Sequence, residues 1–247
     1  MLKRLVVIVL LAPVLALAQA QAQAQAAEPA GKLSAETIIK RSLEGRLGGV
    51  KIDGVAKTPY LGLYEVRMGS EILYTDEKMA YIFSGNIIDA KSMQNLTEKR
   101  LQDLSAIKWG DLPLASAFKT VRGSGKRVLA VFSDPNCPYC KRFEKDLAKV
   151  DDVTIYTFLY PILSQDSHEK AKAVWCAADK SKAWSELMLN GTVPAAARCD
   201  TPIDKNMELG RKYRVTGTPT LVFANGERVP GAIPAEQVEK LLAQNGK

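Results

Sequence analysis

The stretch Ser133–Phe143, SDPNCPYCKRF, holds two cysteines that are separated by a proline and a tyrosine. Such a pair can bind a metal, close a small structural disulfide or exchange disulfides with another molecule. If Pro138 takes the first helical position, Cys137 becomes the N-cap and Cys140 the third helical residue. The Cys137 sulfur would then face free backbone N–H groups and the positive end of the helix dipole, which favour thiolate over thiol. This pattern predicts an exposed, ionised nucleophile at Cys137, with Cys140 one turn later and directed inward.

Metal binding and a structural disulfide are the weaker interpretations of this cysteine pair. A zinc site needs four ligands with suitable spacing. The chain has one histidine, His168, and its remaining cysteines, Cys176 and Cys199, do not form a second Cys-x-x-Cys. A purely structural disulfide between Cys137 and Cys140 would close so small a ring that it would restrain little chain entropy. We therefore expect disulfide exchange and no bound metal.

Two further motifs lie later in the chain. Cys176 in VWCAADK and Cys199 in AARCDTP occur in a helical setting beside Trp175, which suggests an interior disulfide but leaves a second redox pair open. The stretch VTGTPTLVF contains an X-Pro bond, Thr218-Pro219, that enters a predicted strand and is a candidate for the cis isomer. Sequence alone does not decide that isomer.

The beginning of the chain, MLKRLVVIVLLAPVLALAQA, has the order of a secretory signal. Lys3 and Arg4 precede an apolar run from Leu5 to Leu17, and small residues follow. The run is interrupted by Pro13 and is shorter than the roughly 20 residues that span a bilayer. We expect residues 1–27 to be a cleaved signal peptide and a disordered Ala/Gln leader. Export would place the protein in an oxidising compartment, the periplasm, where cysteines normally pair.

The overall charge argues against a nucleic-acid partner. The formal net charge is +7, and the basic residues are spread along the chain rather than clustered. A mild and dispersed excess of this kind is typical of a solvated surface.

Residues 28–94 are predicted to form a small α+β domain. The segment LSAETIIKRSLEGRLGG has a possible cap at Ser34 and an apolar helical face. Short strands are expected in YLGLYEVRM, EILYT, MAYIF and NIIDA. One helix and a small antiparallel sheet make a thin core, so pairing with a second copy would stabilise this domain. We therefore expect a homodimer.

Residues 95–111 are predicted to form a linker helix, and residues 112–247 an α/β domain. In NLTEKRLQDLSAIKW, Asn95 is a candidate cap, and the apolar face comprises Leu96, Leu101, Leu104 and Ile107. Strands and helices then alternate: strand, Cys-x-x-Cys, helix, strand, helical insertion, hairpin, helix. This is a thioredoxin-like order.

Three quoted motifs, FSDPNCPYCKRF, AVWCAADKSKAW and VTGTPTLVFANGERVPG, in this order behind a small domain and a linker helix, resemble the periplasmic thiol-disulfide interchange proteins of the DsbC/DsbG family. The resemblance implies a V-shaped homodimer that is joined through residues 30–90, with two catalytic domains facing a shared cleft. It also implies a cis peptide bond at Thr218-Pro219, where the Thr218 backbone could pair with an extended substrate.

The same resemblance implies the roles of individual residues. Cys137 would be the nucleophile and Cys140 the resolving thiol, supported by Pro138, Tyr139, Thr218 and Pro219. Cys176 and Cys199 would form a structural disulfide. No cofactor is implied. The implied partners are unfolded or misoxidised exported proteins and a membrane-bound thiol reductase of the DsbD type.

The implied activity is that of a disulfide isomerase and reductase with chaperone activity. The pair Pro138-Tyr139 resembles the DsbG branch, whereas AVWCAADK resembles DsbC, so the substrates could be scrambled disulfides or oxidised single cysteines. Two rival functions stay open, a disulfide oxidase and a holdase without an essential thiol. Isomerase is the preferred hypothesis.

Overall fold

The computed structural model describes residues 33–196 and 198–245. The predicted signal peptide and leader, residues 1–27, lie outside this part of the chain. The chain divides between Gly85 and Asn86 into two compact units. Within the described ranges, no helix is long and apolar enough to cross a membrane.

The first unit packs one helix on a four-stranded antiparallel sheet. Helix α1 begins where the Ser34 side chain accepts the Thr37 N–H, as the sequence predicts. Ile39 and Leu43 on α1 are buried against the sheet, which presents Val66 to the same core. The elements are α1 (Ala35–Arg46), β1 (Gly54–Lys57), β2 (Tyr64–Met68), β3 (Glu71–Thr75) and β4 (Ile82–Ser84), and the sheet order is β1-β2-β3-β4.

Two sequence-based strand assignments differ from the structure. Strand β1 was not predicted, because it is short and is recognised only by its pairing with β2. The strand expected in NIIDA is wrong: Ile88 makes an isolated bridge with Asn95. The chain turns there because the Asp89 carboxylate accepts the backbone N–H groups of Lys91 and Ser92. A local side-chain contact thus replaces a sheet ladder.

Helix α2 (Leu96–Ser105) is shorter than the predicted linker helix. Its start is as predicted, because the Asn95 side chain accepts the Glu98 N–H at 3.0 Å. The predicted apolar face is partly wrong, since Ile107 lies beyond the end of the helix and Leu104 is exposed. Ile107 is instead extended and buried, and its N–H donates to the carbonyl of Gly226.

The second unit is built on a five-stranded sheet with the order β5-β7-β6-β8-β9. Strands β6 and β7 are parallel, and the other neighbouring pairs are antiparallel. The strands are β5 (Phe118–Arg122), β6 (Arg127–Ser133), β7 (Val153–Leu159), β8 (Thr220–Phe223) and β9 (Arg228–Pro230). The parallel strands β6 and β7 are buried along most of their length, as expected for strands that are covered on both faces.

In the described part of the chain, five α-helices follow β6. Helix α3 connects β6 with β7 and buries Phe143 and Leu147 in a core that also contains Val238 of the last helix. A helical insertion separates β7 from β8. The helices are α3 (Pro138–Leu147), α4 (Gln165–Cys176), α5 (Lys180–Ser185), α6 (Ile203–Lys212) and α7 (Ala235–Asn245), and residues Glu186–Asn190 continue α5 in wider turns.

Three loops meet at one edge of this sheet. Because β6 and β7 are parallel, the loops that follow them, residues 134–137 and 160–164, leave from the same end. The antiparallel strand β8 begins there, so residues 217–219 arrive at that end too. Ligand sites in sheets with parallel strands lie at the carboxyl ends of those strands.

A disulfide between Cys176 and Cys199 closes part of the insertion. The two cysteines are 23 residues apart in sequence and their Cα atoms are 5.7 Å apart. Beside the bond, the Trp175 indole N–H donates to the carbonyl of Asp200. The disulfide therefore joins the end of α4 to the segment that leads into α6.

Replacing both of these cysteines with alanine should destabilise the protein. A loop of this length restrains the unfolded chain, so we expect the free energy of unfolding to fall by about 3 kcal/mol. Urea denaturation followed by circular dichroism measures the change. An unchanged transition midpoint in the Cys176→Ala/Cys199→Ala variant would contradict the stabilising role.

Candidate functional site

Cys137 lies at the N-cap of α3, at the edge where the three loops meet. Pro138 occupies the first helical turn, and the Cys137 N–H donates to the Asp134 carbonyl at 3.1 Å. The Cys137 carbonyl accepts the N–H of Lys141, which closes the first turn. Proline suits this position because its fixed φ matches the helix and its missing N–H is not needed there.

The Cys137 side chain is buried, and the expectation of an exposed sulfur is wrong. The residue is 3% exposed, and its Sγ donates to the Thr218 carbonyl at 3.1 Å. Its side chain makes no hydrogen bond to the start of α3, contrary to the sequence-based expectation. The thiol instead acts as a donor, to a carbonyl of a loop that is distant in sequence. Tyr139, between the cysteines, is 64% exposed.

Cys140 is fully buried in a cluster that includes Trp184 of the insertion. Burial raises the pKa of the Cys140 thiol to about 12, because the apolar surroundings disfavour the thiolate. Hydrogen bonds from the Ser133 hydroxyl and the Asp134 backbone oppose this shift only in part. At neutral pH, Cys140 therefore remains a thiol. Cys137 and Cys140 are both free cysteines in the structure.

The loop that leads into β8 contains a cis peptide bond at Thr218-Pro219. Its position brings the Thr218 carbonyl to the Cys137 sulfur, and the Thr218 side chain also hydrogen-bonds to Cys140. Pro219 is buried, and its carbonyl accepts the Gly231 N–H. One short loop thus contacts both sulfurs.

Asp134 is a site residue that sequence reasoning missed. It is fully buried, and its carboxylate accepts the Asn136 N–H at 2.8 Å and the Leu163 N–H at 3.0 Å. The first bond shapes the turn before Cys137, and the second joins that turn to the loop after β7. The Asp-Pro pair was a usable signal for the turn, since aspartate commonly bonds to the backbone two residues later.

A polar network holds the same turn to helix α4. The Asn136 amide N–H donates to the Asp166 carboxylate at 2.7 Å, and the Lys170 ammonium donates to the Asn136 side-chain carbonyl at 2.9 Å. Lys170 and Asp166 also form an ion pair. Hydrogen bonds from Lys170 and Asn136 hold the pKa of Asp166 below its ordinary value. These residues are far apart in sequence, so no local pattern indicated the network.

Glu144, on α3, is a second buried carboxyl group near the cysteines in sequence. Its side chain accepts the Trp184 indole N–H at 2.7 Å. Burial raises the pKa of Glu144, and the Trp184 hydrogen bond and the Arg122 charge oppose that shift. This hydrogen bond joins α3 to the helical insertion.

The described residues do not bring three or more His, Cys, Asp or Glu side chains together as a metal site. What they bring together is a dithiol, a carbonyl acceptor and buried polar residues that hold the turn. Thiol exchange needs no other group, because the thiolate itself attacks a disulfide sulfur.

Both units match known protein families. Residues 18–98 match the family described as "Disulfide bond isomerase protein N-terminal domain", and residues 114–246 match the "Thioredoxin-like domain" family. Together the two matches extend over both units of the chain.

Relatives of similar length are known from bacteria. A protein of Bordetella pertussis named "Probable thiol:disulfide interchange protein DsbC" is 45% identical over 204 residues, which are 83% of this chain and 73% of the relative. The Escherichia coli "Thiol:disulfide interchange protein DsbC" is 30% identical over 206 residues, 81% of this chain and 84% of the relative. A crystal structure of a disulfide interchange protein from Neisseria gonorrhoeae is 43% identical, with a TM-score of 0.53, and the match covers 55% of this chain and 99% of the other.

The high pKa of Cys140 can be measured in a Cys137→Ala variant, where Cys140 is the remaining free thiol. Because burial disfavours the thiolate, we expect its ultraviolet absorbance to rise only well above the ordinary thiol value of 9.0. The Cys137→Ala/Cys140→Ala variant serves as the control, since it contains the same ionising tyrosines. A thiolate signal from Cys140 near neutral pH would contradict the predicted shift.

Proposed function

The chain belongs to the DsbC family of thiol:disulfide interchange proteins, and on that premise we propose that it is an isomerase and reductase that rearranges incorrect disulfides in exported proteins through Cys137 and Cys140. The observation that carries this proposal is the free dithiol at the start of α3, with one sulfur at the N-cap and the other buried one turn later. Both cysteines are free, and the N-cap cysteine donates to the Thr218 carbonyl of a different loop.

The first step is attack by the Cys137 thiolate on a substrate disulfide. A new bond forms between the Cys137 sulfur and one substrate sulfur, and the old S–S bond breaks, so that its electron pair leaves on the other substrate sulfur. A thiolate cannot donate a hydrogen bond to the Thr218 carbonyl, so ionisation releases the sulfur from that contact.

The mixed disulfide has two possible fates. A thiol of the substrate can displace Cys137, which isomerises the substrate and regenerates the reduced enzyme. Alternatively the Cys140 thiolate can displace the substrate, which reduces it and leaves a Cys137–Cys140 disulfide. The raised pKa of Cys140 makes its thiolate scarce at neutral pH, so the second route is slow. The burial of Cys140 therefore supports isomerisation over net reduction of the substrate.

The proposed location and redox partner follow from this chemistry. An isomerase must keep Cys137 reduced in an oxidising compartment, which requires a supply of electrons. We infer export to the periplasm, in keeping with the secretory signal expected in residues 1–27. The electrons would come from a membrane-bound thiol reductase of the DsbD type.

Replacing Cys137 with alanine should abolish reactivation of a scrambled multi-disulfide protein, because the attacking sulfur is lost. The Cys140→Ala variant should retain part of the isomerisation while losing net reduction of the substrate. Regained activity of the scrambled protein and its free-thiol content are measured side by side. Wild-type reactivation by Cys137→Ala would contradict the mechanism. If both variants still suppress aggregation of an unfolded protein, the proposed chaperone activity is separate from thiol exchange.

The first unit carries an exposed apolar surface that supports a homodimer. Strand β4 is at the edge of its sheet, and its Ile82 and Phe83 are both exposed. An exposed edge strand with apolar side chains is a template for pairing with another chain. The other large exposed apolar residues of this unit are Leu33, Ile38, Val50, Tyr60, Leu61 and Tyr81. This surface is also where a chaperone activity toward unfolded chains could reside.

A charge on β4 should therefore prevent dimerisation. We expect Phe83→Asp to shift the protein from dimer to monomer, because a carboxylate would be buried without a partner. Size-exclusion chromatography with light scattering measures the mass. Val121→Asp is the matched control, since Val121 in the second unit is exposed to a similar degree, 52% against 50%. A wild-type monomer, or a dimer that tolerates Phe83→Asp, would overturn the proposal.

A further inference from the structure

The loop of residues 160–164 lies beside the site. The thiol exchange proposed for Cys137 and Cys140 does not use any residue of this loop. It follows β7, next to the Cys137 turn that follows β6, and its first residue, Tyr160, donates its N–H to the Ser133 carbonyl. At the tip of this loop Leu163 is 54% exposed. The exposed Leu163 side chain thus lies at the same end of the sheet as the Cys137 turn.

This leucine is exposed but firmly held. Its backbone N–H donates to one oxygen of the Asp134 carboxylate, while the other oxygen accepts the N–H of Asn136, the residue before Cys137. The next residue, Ser164, caps α4 and accepts a hydrogen bond from the Asn136 side chain. A contact made by a residue whose backbone is already fixed costs less ordering entropy on binding.

We propose that Leu163 is a specificity-determining residue that contacts an apolar side chain of the substrate beside the attacked disulfide. The occupant is an extended segment of a partly folded protein with an apolar residue next to its cysteine. This inference rests on the proposed function, since it assumes that Cys137 attacks such a segment.

The chemistry of the occupant follows from the surroundings of Leu163. Cysteine is among the most buried residue types, so the segments that carry it have apolar neighbours that remain exposed until folding is complete. Two charged residues follow Leu163 on α4. Asp166 and Lys170 form an ion pair and present little net charge to a ligand. Tyr139, between the two cysteines, is a second large exposed side chain near the site.

The test uses two short peptides that are identical except for leucine or serine directly after their single cysteine. Each is supplied as its mixed disulfide with glutathione and is mixed with reduced enzyme. One turnover oxidises the Cys137/Cys140 dithiol to a disulfide and releases one peptide thiol and one glutathione thiol. For each variant, the rate with the leucine peptide is divided by the rate with the serine peptide. A change in thiol reactivity that affects both peptides equally cancels in this ratio.

We expect the wild-type protein to react about fivefold faster with the leucine peptide, which corresponds to partial burial of one leucine side chain. Leu163→Ser should bring the ratio to about one, and Leu163→Met should retain the preference because the apolar contact is kept. Val121→Ser is the matched control: Val121 is similarly exposed but pairs with Thr154 near the start of β7, at the opposite end of the sheet.

The outcomes separate this inference from the function on which it rests. If the wild-type protein reacts with neither peptide nor with oxidised glutathione, the proposed function fails. If it reacts but shows no preference for leucine, or if Leu163→Ser keeps that preference, the role of Leu163 is overturned and thiol exchange stands.

Discussion

The parallel pairing of β6 with β7 brings the ends of two strands to one edge of the sheet, and every part of the site depends on that edge. The Cys137 turn leaves from one strand and the Leu163 loop from the other. The antiparallel neighbour β8 adds the cis-proline loop at the same end. Because the three loops come from a single hydrogen-bonded sheet, the sheet holds them at set distances, and short side chains such as Asp134 can reach between them.

The two sulfurs lie in one apolar cluster but at different positions on helix α3. Cys137 is the N-cap residue and donates to the Thr218 carbonyl, whereas Cys140, at the third helical position, is fully buried. Burial raises the pKa of the Cys140 thiol, because apolar surroundings disfavour the thiolate. The helical insertion contributes directly to this effect, because its Trp184 covers Cys140 and bonds to Glu144 on α3.

Sequence signals predicted the start of a helix correctly where a side chain hydrogen-bonds to the nearby backbone. The caps at Ser34 and Asn95 were read correctly, because each bonds to a backbone N–H three residues later. The strand expected at NIIDA failed for a related reason, since Asp89 makes local bonds that compete with sheet pairing. Ile107 was assigned to a helical face by its spacing alone, although its backbone is bonded to the distant turn at Gly226.

The sequence by itself determined where helix α3 begins: a Cys-x-x-Cys with proline at the first helical position specifies Cys137 as the N-cap through backbone geometry within a few residues. Only the tertiary structure decided how accessible that sulfur is and what surrounds it. The carbonyl that accepts the Cys137 thiol lies 81 residues away along the chain, and Leu163 meets the Cys137 turn through a carboxylate on a different loop. Contacts of this kind depend on which strands pair, and the pattern of residues along the sequence does not show that pairing.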